Sequence, residues 1–340
     1  MNKIVIDALG ADLGPEMVAE GLALAWQEAD DFEAVVVGPR ARMIGVLQAY
    51  EAKIEWVDTP VLISNEEAPA LAIRRKKEAS MVQAFHRLNE ADATALISAG
   101  STGALLAGAT FLTRRIKGVR RCCLAALIPT LTGRSSLVVD AGANMDTTPE
   151  MLFQFALMGA NYARLGLGVA DPIVRLLSVG SEAEKGDERV QKTRLLLEQS
   201  ELTFAGNLEA RDLLEGSCDV VVCDGFSGNI LIKSYEGCAA TLLGQVKETI
   251  HTNPWTKLGG LLLQKSLKQR LKKMDYRAHG GAPLLGCRKA VYKAHGNSQP
   301  RTFALAIREA LNYGSVHLEE AIWRALSASG QEGGPSDAGR

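Results

Sequence analysis

The sequence predicts an α/β protein: three α/β/α layers around a mostly parallel sheet, with a helical hairpin that protrudes from them. Short apolar, β-branched runs alternate along the chain with amphipathic helical patterns, which is typical of a parallel sheet covered by helices on both faces. The composition agrees, since 47% of the residues are hydrophobic, only 5% are aromatic and 33 are glycines, as expected where strands and helices meet in tight turns. Because 340 residues can bury one large core, we expect a single α/β domain over residues 1–328 and a flexible tail over 329–340.

The elements of this fold follow one another in a regular order. Strands are predicted for residues 3–7, 34–37, 94–98, 136–140, 174–178 and 220–223. Helices are predicted for residues 15–30, 40–49, 79–89, 149–166, 187–199 and 230–250. A strand-like run at 290–293 and a helical pattern over 299–328 close the fold. Ligands of such sheets bind beyond the carboxyl ends of the strands, so we expect functional residues there.

A change of pattern after residue 250 predicts the helical hairpin, at about residues 245–279. Residues 252–254 form a turn signal, and the Gly259-Gly260 pair is expected to interrupt the apolar stretch 258–263. The apolar tip contains Trp255, Leu258, Leu261 and Leu262, and the return arm contains Lys265, Lys268, Arg270, Lys272 and Lys273. An apolar tip with a basic arm fits a membrane surface, an acidic carrier protein or a second copy of the chain.

Charge, cysteine pattern and hydropathy exclude several classes of protein. The formal net charge is −1, so no overall field favours nucleic acid. No apolar run approaches 18 residues and a strand-like run begins at residue 3, so we expect neither a transmembrane helix nor a cleavable signal peptide. None of the six cysteines forms a C-x-x-C pair, so we expect buried thiols in a reducing cytosol and no metal site.

The most informative motif is D-G-F-S-G-N at residues 224–229, which joins the last predicted strand of the main series to a helix. After Asp224, Gly225 and Gly228 allow a tight turn, and Asn229 begins the helical pattern. A strand–glycine–helix turn aims its backbone N–H groups, here with the Ser227 hydroxyl, at an anion. An ordinary helix cap, in which Asp224 accepts these N–H groups, fits the same spacing. Both alternatives stay open.

Similar turns recur at other strand ends. D-A-L-G-A-D begins at Asp7, D-A-G-A-N ends at Asn144, and S-A-G-S-T-G at 98–103 precedes an apolar helix. The last of these offers Ser98, Gly100, Ser101, Thr102 and Gly103 to a phosphate. A helix cap is again an equal alternative. Neither a Walker A loop nor a G-x-G-x-x-G turn after the first strand is present.

Cations that could balance an anion occur at three places. Lys185 lies on the loop after strand 174–178, His295 follows the run 290–293, and R-R-K-K occupies 74–77. Each has a plainer alternative, because charge runs are usually solvated and a lone histidine is usually structural. The strand-end aspartates are too dispersed along the chain to predict a Mg²⁺ site.

Taken in order, these motifs resemble those of the phosphate acyltransferase (PlsX) family. The matching segments are D-A-L-G-A-D at 7–12, A-I-R-R-K-K-E-A-S-M at 72–81, I-S-A-G-S-T-G-A-L at 97–105, D-A-G-A-N at 140–144, G-S-E-A-E-K-G at 180–186, V-C-D-G-F-S-G-N at 222–229, G-G-A-P-L-L-G at 280–286 and K-A-H-G at 293–296. Each is weak alone, but eight in the family's order are specific. The chain departs from the family pattern at Leu9, Ala11, Ser101 and Gln299.

The resemblance implies a fold similar to isopropylmalate dehydrogenases and phosphotransacetylases. It implies a cofactor-free enzyme that moves a long-chain fatty acyl group from an acyl-carrier-protein thioester to orthophosphate. The acyl phosphate would be used by a glycerol-3-phosphate acyltransferase in phospholipid synthesis. A cytoplasmic homodimer, attached peripherally to the inner face of the cell membrane, is also implied, as is catalysis by Lys185 and Asn229.

The motifs provide the groups that this chemistry needs. Orthophosphate is already an anionic nucleophile and a thiolate leaves readily, so the reaction chiefly needs an anion cradle, a cation and donors for the tetrahedral oxyanion. The expected substrate- and phosphate-binding residues are Asp7, Ser98, Gly100, Ser101, Thr102, Gly103, Asn144, Asp224, Gly225, Ser227, Gly228 and His295. Two alternatives are a nicotinamide-dependent dehydrogenase on the same architecture and a non-catalytic adaptor between carrier protein and membrane.

Overall fold

The structure is a computed structural model that describes residues 2–90, 92–272 and 279–330, with the backbone alone for 266–272. In the described chain, eleven strands form one sheet in the order β3-β2-β1-β4-β11-β10-β5-β6-β9-β7-β8. The strands are β1 Asn2–Asp7, β2 Phe32–Gly38, β3 Ile54–Asp58, β4 Ala95–Ser98, β5 Cys123–Pro129, β6 Ser135–Val139, β7 Val174–Ser178, β8 Phe204–Glu209, β9 Val220–Val222, β10 Gly281–Leu285 and β11 Ala290–Ala294. Only the pairings of β10 with β11, β10 with β5 and β5 with β6 are antiparallel.

Helices cover both faces of this sheet, which confirms the predicted α/β/α layers. They are α1 Gly14–Glu28, α2 Arg40–Leu47, α3 Pro69–Arg75, α4 Ser80–Glu90, α5 Thr102–Gly108, α6 Pro149–Gly166, α7 Glu188–Glu198, α8 Gly225–His251, α9 Pro254–Lys272, α10 Pro300–Ser315 and α11 Leu318–Ser329. The larger core lies under α1, α6, α10 and α11. The other face is covered by α3, α4 and α5 in one half and by the start of α8 in the other.

Every strand predicted from an apolar run is present within two residues of its expected bounds. Four further strands, β3, β5, β8 and β10, are absent from the prediction. In β5 the sequence C-L-A-A-L-I-P is rich in alanine and leucine, and in β10 the sequence G-A-P-L-L contains glycine and proline. These residues have low strand propensity, so pairing with neighbouring strands, rather than local preference, determines both elements.

The two halves of the sheet run in opposite directions. Three antiparallel steps separate β11 from β6, and all other neighbours are parallel. The carboxyl ends of β1, β4 and β11 therefore lie at one edge of the sheet. The carboxyl ends of β6, β7 and β9 lie at the other edge, together with the amino end of β5.

Helices α8 and α9 form the pair predicted after the last turn motif. Helix α8 has 27 residues and is therefore about 40 Å long. The connection at Thr252 and Asn253 is closed by a reciprocal pair of hydrogen bonds, since Thr256 N–H donates to Asn253 Oδ1 at 2.9 Å and Asn253 N–H to Thr256 Oγ1 at 3.1 Å. Trp255 beside this turn is 82% exposed, and Leu262 further along α9 is 79% exposed. In the described part of the chain, no helix is long and apolar enough to cross a bilayer.

Two local predictions about helices are wrong. Gly259 and Gly260 do not interrupt α9, which runs through both residues. A Cβ at Gly260 would lie 2.4 Å from Ile250 Cγ2 of the neighbouring helix α8. Glycine is needed there for close packing of the two helices rather than for a turn. The last helical pattern is two helices, since Val316 adopts an extended conformation after α10. The break redirects the chain so that α11 packs on α6.

Candidate active site

The first turn of α8 is fixed by Asp224. Its carboxylate accepts hydrogen bonds from the Ser227 N–H at 2.9 Å and the Ser227 hydroxyl at 2.8 Å. The Gly225 N–H donates to the Asn144 carbonyl at 2.7 Å, and the Gly228 N–H donates to the Asp224 carbonyl at 2.9 Å. The Asp224 side chain thus occupies the position that an external anion would take at a helix start. The cap accounts for these residues of the motif without a ligand.

Arg189 balances the charge of Asp224 and links α7 to α8. Its Nη2 lies 3.0 Å from Asp224 Oδ2 and 3.3 Å from Asp187 Oδ2, and its Nη1 donates to Thr147 Oγ1 at 3.1 Å. Asp187 also caps α7 through the Val190 N–H at 2.8 Å. The loop that ends at Asp187 is therefore held against the start of α8.

A second buried carboxylate, Asp140, organises the loop after β6. It accepts hydrogen bonds of 2.7–3.2 Å from the backbone of Leu124, Gly142, Ala143 and Asn144, and from the Asn144 side chain. Burial raises the pKa of Asp140 above its ordinary value, and these donors offset part of that rise. The loop is therefore held by a dense internal network.

Asn144 has a structural role in this network. Its Nδ2 donates to Asp140 Oδ2 at 2.7 Å and to the Cys122 carbonyl at 2.8 Å. Both N–H bonds of the side-chain amide are thus used, and the side chain is buried. The geometry therefore does not support the substrate-binding role predicted for Asn144.

Asn229 is a polar side chain at this edge that remains available to a ligand. It is exposed, and its amide makes no hydrogen bond to another residue that the structure describes. It lies against Gly142, where an added Cβ would be 3.3 Å from Asn229 Cβ and 3.4 Å from its Oδ1. Gly142 has φ +129°, a conformation that favours glycine. A rigid loop thus supports an amide that faces outward.

Lys185 lies on the neighbouring loop, between β7 and α7. Its side chain is exposed and forms no ion pair with any carboxylate in the described ranges. The loop is fixed underneath, because Asn207 Nδ2 donates to the Glu182 carbonyl at 2.8 Å and to the Lys185 carbonyl at 3.5 Å. The stem of Lys185 packs on Gly180, where a Cβ would lie 2.7 Å from Lys185 Cγ.

The opposite edge of the sheet carries another polar cluster, around the buried Asp7. Ser98 Oγ donates to Asp7 Oδ2 at 2.7 Å and accepts from the Gly100 N–H at 3.0 Å. Burial raises the pKa of Asp7 to about 6, against the opposing effects of hydrogen bonds from Ser80, Ser98 and Leu9 and of the charge of Lys293. Burial also lowers the pKa of Lys293 to about 8. Lys293 Nζ donates to the Ala99 carbonyl at 3.3 Å, and its positive charge opposes the rise in the pKa of Asp7.

The pKa of Asp7 predicts a pH-dependent effect of Asp7→Asn on stability. Between about pH 4 and pH 6 the folded chain binds more protons at Asp7 than the unfolded chain does, so this contribution to stability falls as the pH rises through 6. Asparagine cannot titrate, so the unfolding free energy of Asp7→Asn minus that of the wild type should rise by about 1.4 kcal/mol from pH 5 to pH 7.5. Urea unfolding of both proteins at the two pH values measures this difference. A difference in unfolding free energy that does not change with pH would contradict the raised pKa of Asp7.

The remaining predicted residues of this edge are spread around the cluster. Ser101 caps α5 weakly, accepting from the Ala104 N–H at 3.5 Å, while Thr102 is exposed and Gly103 is partly buried. His295 is also partly buried, and burial lowers its pKa below the ordinary value. The structure thus brings Ser98, Gly100 and Asp7 together and leaves His295 beyond the end of β11.

The predicted site residues fall into two groups rather than one. Asp7 and Ser98 lie at one edge of the sheet, whereas Asp224 and Asn229 lie at the other, because the two halves run in opposite directions. No hydrogen bond joins the groups within the described residues. The strand ends of one chain therefore do not form one hydrogen-bonded cluster, and a single site assembled from all of them stays a prediction.

Two charged residues that were not predicted as site residues, Arg189 and Lys293, are central to these groups. Asp140, noted in the sequence as the first residue of the D-A-G-A-N turn, is a buried anchor. Nothing in the sequence marks Arg189, because its partner Asp224 is 35 residues away. Lys293 is the first residue of the segment K-A-H-G, whose match to the family motif marked this part of the sequence. Its position opposite Ser98 in the sheet could not be deduced without the pairing of β11 with β4.

The fold places the chain among α/β proteins of the phosphotransacylase architecture. It is similar to a branched-chain phosphotransacylase from Enterococcus faecalis, with TM-score 0.59, 16% identity and coverage of 93% of this chain and 100% of that chain. It is similar to a phosphotransacetylase from Streptococcus pyogenes, with TM-score 0.57, 18% identity and coverage of 92% and 94%. A putative 4-hydroxythreonine-4-phosphate dehydrogenase from Salmonella typhimurium also matches, with TM-score 0.52, 13% identity and coverage of 92% and 99%. At these identities the likeness shows the fold alone.

Sequence similarity identifies the family within this class. A family model described as fatty acid synthesis protein matches residues 2–320. The phosphate acyltransferase of Caldanaerobacter subterraneus subsp. tengcongensis is 42% identical over 330 residues, which cover 97% of this chain and 99% of the relative. That of Clostridium acetobutylicum is 42% identical over 328 residues, with coverage of 95% and 98%. The chain belongs to the phosphate acyltransferase family, as its motifs predict.

Proposed function

We propose that this chain transfers a long-chain fatty acyl group from an acyl-carrier-protein thioester to orthophosphate. Membership of the phosphate acyltransferase family supports acyl transfer to phosphate. We place the reaction at the sheet edge formed by the carboxyl ends of β6, β7 and β9. The observation that supports this position is the exposed Asn229 amide on a rigid loop, beside the loop that bears Lys185. The product is an acyl phosphate, a substrate for glycerol-3-phosphate acyltransfer in phospholipid synthesis.

The reaction needs few groups from the protein. A phosphate oxygen attacks the thioester carbonyl carbon, a C–O bond forms, and the C–S bond breaks as the carrier thiolate leaves. Asn229 donates to the carbonyl oxygen as its negative charge develops, and Lys185 attracts the phosphate and compensates the charge of the intermediate. Because both side chains are exposed, they reach a substrate that approaches from solvent.

Phosphate-dependent thiol release tests this function directly. Palmitoyl carrier protein is incubated with and without orthophosphate, and free carrier thiol is measured. We expect release only when both reactants and the protein are present. An absence of phosphate-dependent release over a range of pH and salt would support the non-catalytic adaptor instead.

The dehydrogenase alternative is tested by ligand stabilisation. The proposed enzyme should be stabilised against heat by orthophosphate and unaffected by NAD, because a ligand that binds only the folded state raises the melting temperature. Stabilisation by NAD would favour the dehydrogenase.

The pair α8 and α9 fits a membrane-associated location, as a peripheral homodimer on the inner face of the cytoplasmic membrane. Leu258, Leu261 and Leu262 are 53%, 67% and 79% exposed on α9, and apolar side chains that face water enter a bilayer surface favourably. Lys265 is exposed on the same helix. Lys268, Arg270 and Lys272 fall where only the backbone is described, and Lys273 lies outside the described residues. A role of this basic arm in binding carrier protein, membrane or a second copy stays a prediction.

Leu261→Glu with Leu262→Glu is expected to abolish most binding to anionic liposomes and to keep the turnover of dispersed substrate. Two leucine side chains that become buried in the bilayer contribute roughly 3 kcal/mol to membrane binding, and glutamates at these positions oppose it. Liposome sedimentation measures the bound fraction, and thiol release measures turnover. Unchanged sedimentation would indicate that these leucines form an interface between protein chains instead.

A further inference from the structure

A cation-rich surface lies next to the Asn144–Gly225 contact. It is formed by the loop 114–121 and the turn 286–289, and we call it the basic surface. The loop reads R-R-I-K-G-V-R-R, with five cations and no acid among eight residues. The cations used below are Arg114, Lys117, Arg120, Arg121, Arg288 and Lys289.

Backbone hydrogen bonds fix the two segments against each other. Arg288 N–H donates to the Arg114 carbonyl at 3.1 Å, and Ile116 N–H donates to the Gly286 carbonyl at 2.9 Å. Arg120 N–H donates to Gln154 Oε1 on α6 at 2.8 Å. The basic surface is therefore a defined array of charges rather than a mobile run.

Most of these cations lack an acidic partner. Arg288 pairs with Glu319 at 3.4 Å. The other five form no ion pair with a carboxylate in the residues that the structure describes, and Arg114, Lys117, Arg121 and Lys289 are exposed. The six cations exceed in number the carboxylates near them, Asp92, Glu150, Glu319 and Glu320, and a local excess of positive charge attracts an acidic partner.

The basic surface adjoins the edge that carries Asn229. Arg121 precedes Cys122, whose carbonyl accepts from Asn144 at 2.8 Å. The Asn144 carbonyl in turn accepts from Gly225 at the start of α8. One Cα step of about 3.8 Å, the two hydrogen-bonded crossings and about 6 Å for four helical residues place Arg121 within roughly 25 Å of Asn229.

An aromatic side chain lies within the same region. Trp323 on α11 is 41% exposed and lines a groove together with Ile116, Lys117, His317, Glu319 and Glu320. Aromatic side chains are enriched in the buried centres of protein interfaces. The exposed indole beside Lys117 thus offers an apolar contact next to the basic surface.

We propose that the basic surface docks the acidic carrier domain that presents the acyl thioester on a flexible arm. This inference rests on the proposed function and assigns its carrier-binding surface to the 114–121 loop. Charge complementarity holds the carrier, and the short path to Asn229 lets the arm deliver the thioester carbonyl. The interaction weakens as salt screens the charges.

Charge reversal tests the docking surface independently of catalysis. Binding of fluorescently labelled, unacylated acyl carrier protein to the full chain is measured by anisotropy at low and at physiological ionic strength. Lys117→Glu with Arg121→Glu should raise the dissociation constant about tenfold, with the larger effect at low salt. Arg40→Glu with Arg42→Glu makes the same change of charge on exposed positions of α2 and should leave it within twofold.

Kinetics separate docking from chemistry. The reversal pair should raise KM for palmitoyl carrier protein about tenfold and leave both kcat and the KM for a small palmitoyl-pantetheine thioester unchanged. Unchanged carrier affinity in the reversal pair, or loss of carrier affinity equally in the α2 pair, would overturn the proposal. If Lys117→Glu with Arg121→Glu weakens only binding to anionic vesicles, the basic surface binds lipid, and this result would also overturn the proposal. If the wild type releases thiol from neither thioester, the proposed function fails, whereas carrier binding still decides the docking surface.

Discussion

Asn229→Ala is expected to lower phosphate-dependent thiol release by about a hundredfold to a thousandfold. The Asn229 amide lies exposed at the start of α8, against the fixed loop that contains Gly142. In the proposed reaction it donates to the oxyanion that forms on the thioester carbonyl. A preorganised donor at that position lowers the barrier by about 3 kcal/mol, because it is already oriented before the charge develops. Single-turnover thiol release measures the chemical step.

Matched variants separate loss of the donor from loss of structure. Asn229→Asp preserves size but lacks the N–H donor, so it should be as impaired as Asn229→Ala. Ser234→Ala changes another exposed position of α8 and should keep the wild-type rate. All three should melt within about 2 °C of the wild type, since exposed substitutions alter stability little. Near-normal rates in both Asn229→Ala and Lys185→Ala would place catalysis elsewhere in the chain.

Gly228→Ala is expected to destabilise the protein by about 3 kcal/mol and to abolish most activity. A Cβ at this position would lie 2.0 Å from the Asp140 carbonyl oxygen and 2.8 Å from Cys223 Sγ. Neither side can move easily, because Gly228 lies in the first turn of α8 and the Asp140 loop is held by its own hydrogen bonds. The added methyl group therefore has to push the two loops apart. Thermal melting by circular dichroism and thiol release measure the two consequences.

Gly237→Ala is the matched control on the same helix. An added Cβ there meets no atom within 4 Å, so the substitution should stabilise the protein by about 0.5–1 kcal/mol through helix propensity. Equal melting temperatures for Gly228→Ala and the wild type would mean that the loop contact is looser than the structure shows. A loss of stability in Gly237→Ala would contradict the argument from local space.

The repeating β and α patterns determined much of the fold in advance. Buried parallel strands such as β1 and β7 require short apolar runs that are visible without tertiary information. Helix α6 was predicted with its observed bounds from a long amphipathic pattern that begins at Pro149, and in the structure Thr148 caps it. In contrast, β5 and β10 depend on antiparallel partners far along the chain, and their own residues favour other structures.

The chemistry of individual residues at strand ends was likewise evident in the sequence, but their grouping was not. The motif at 224–229 showed an aspartate, two glycines and an asparagine in a strand-to-helix turn. Whether Asp224 binds a ligand or caps its own helix depends on where its carboxylate points, which the spacing leaves open. In the structure Asp224 caps α8, and Asn229 is exposed.

The sequence alone therefore determined the family, the layer architecture and the residue types at each strand end, because motif order and hydrophobic period are local properties of the chain. Only the tertiary structure decided which of these ends meet. Three antiparallel steps between β11 and β6 reverse one half of the sheet, so Asp7 and Asn229 lie at opposite edges. Strand direction results from pairing between residues distant in sequence, and no local pattern encodes it.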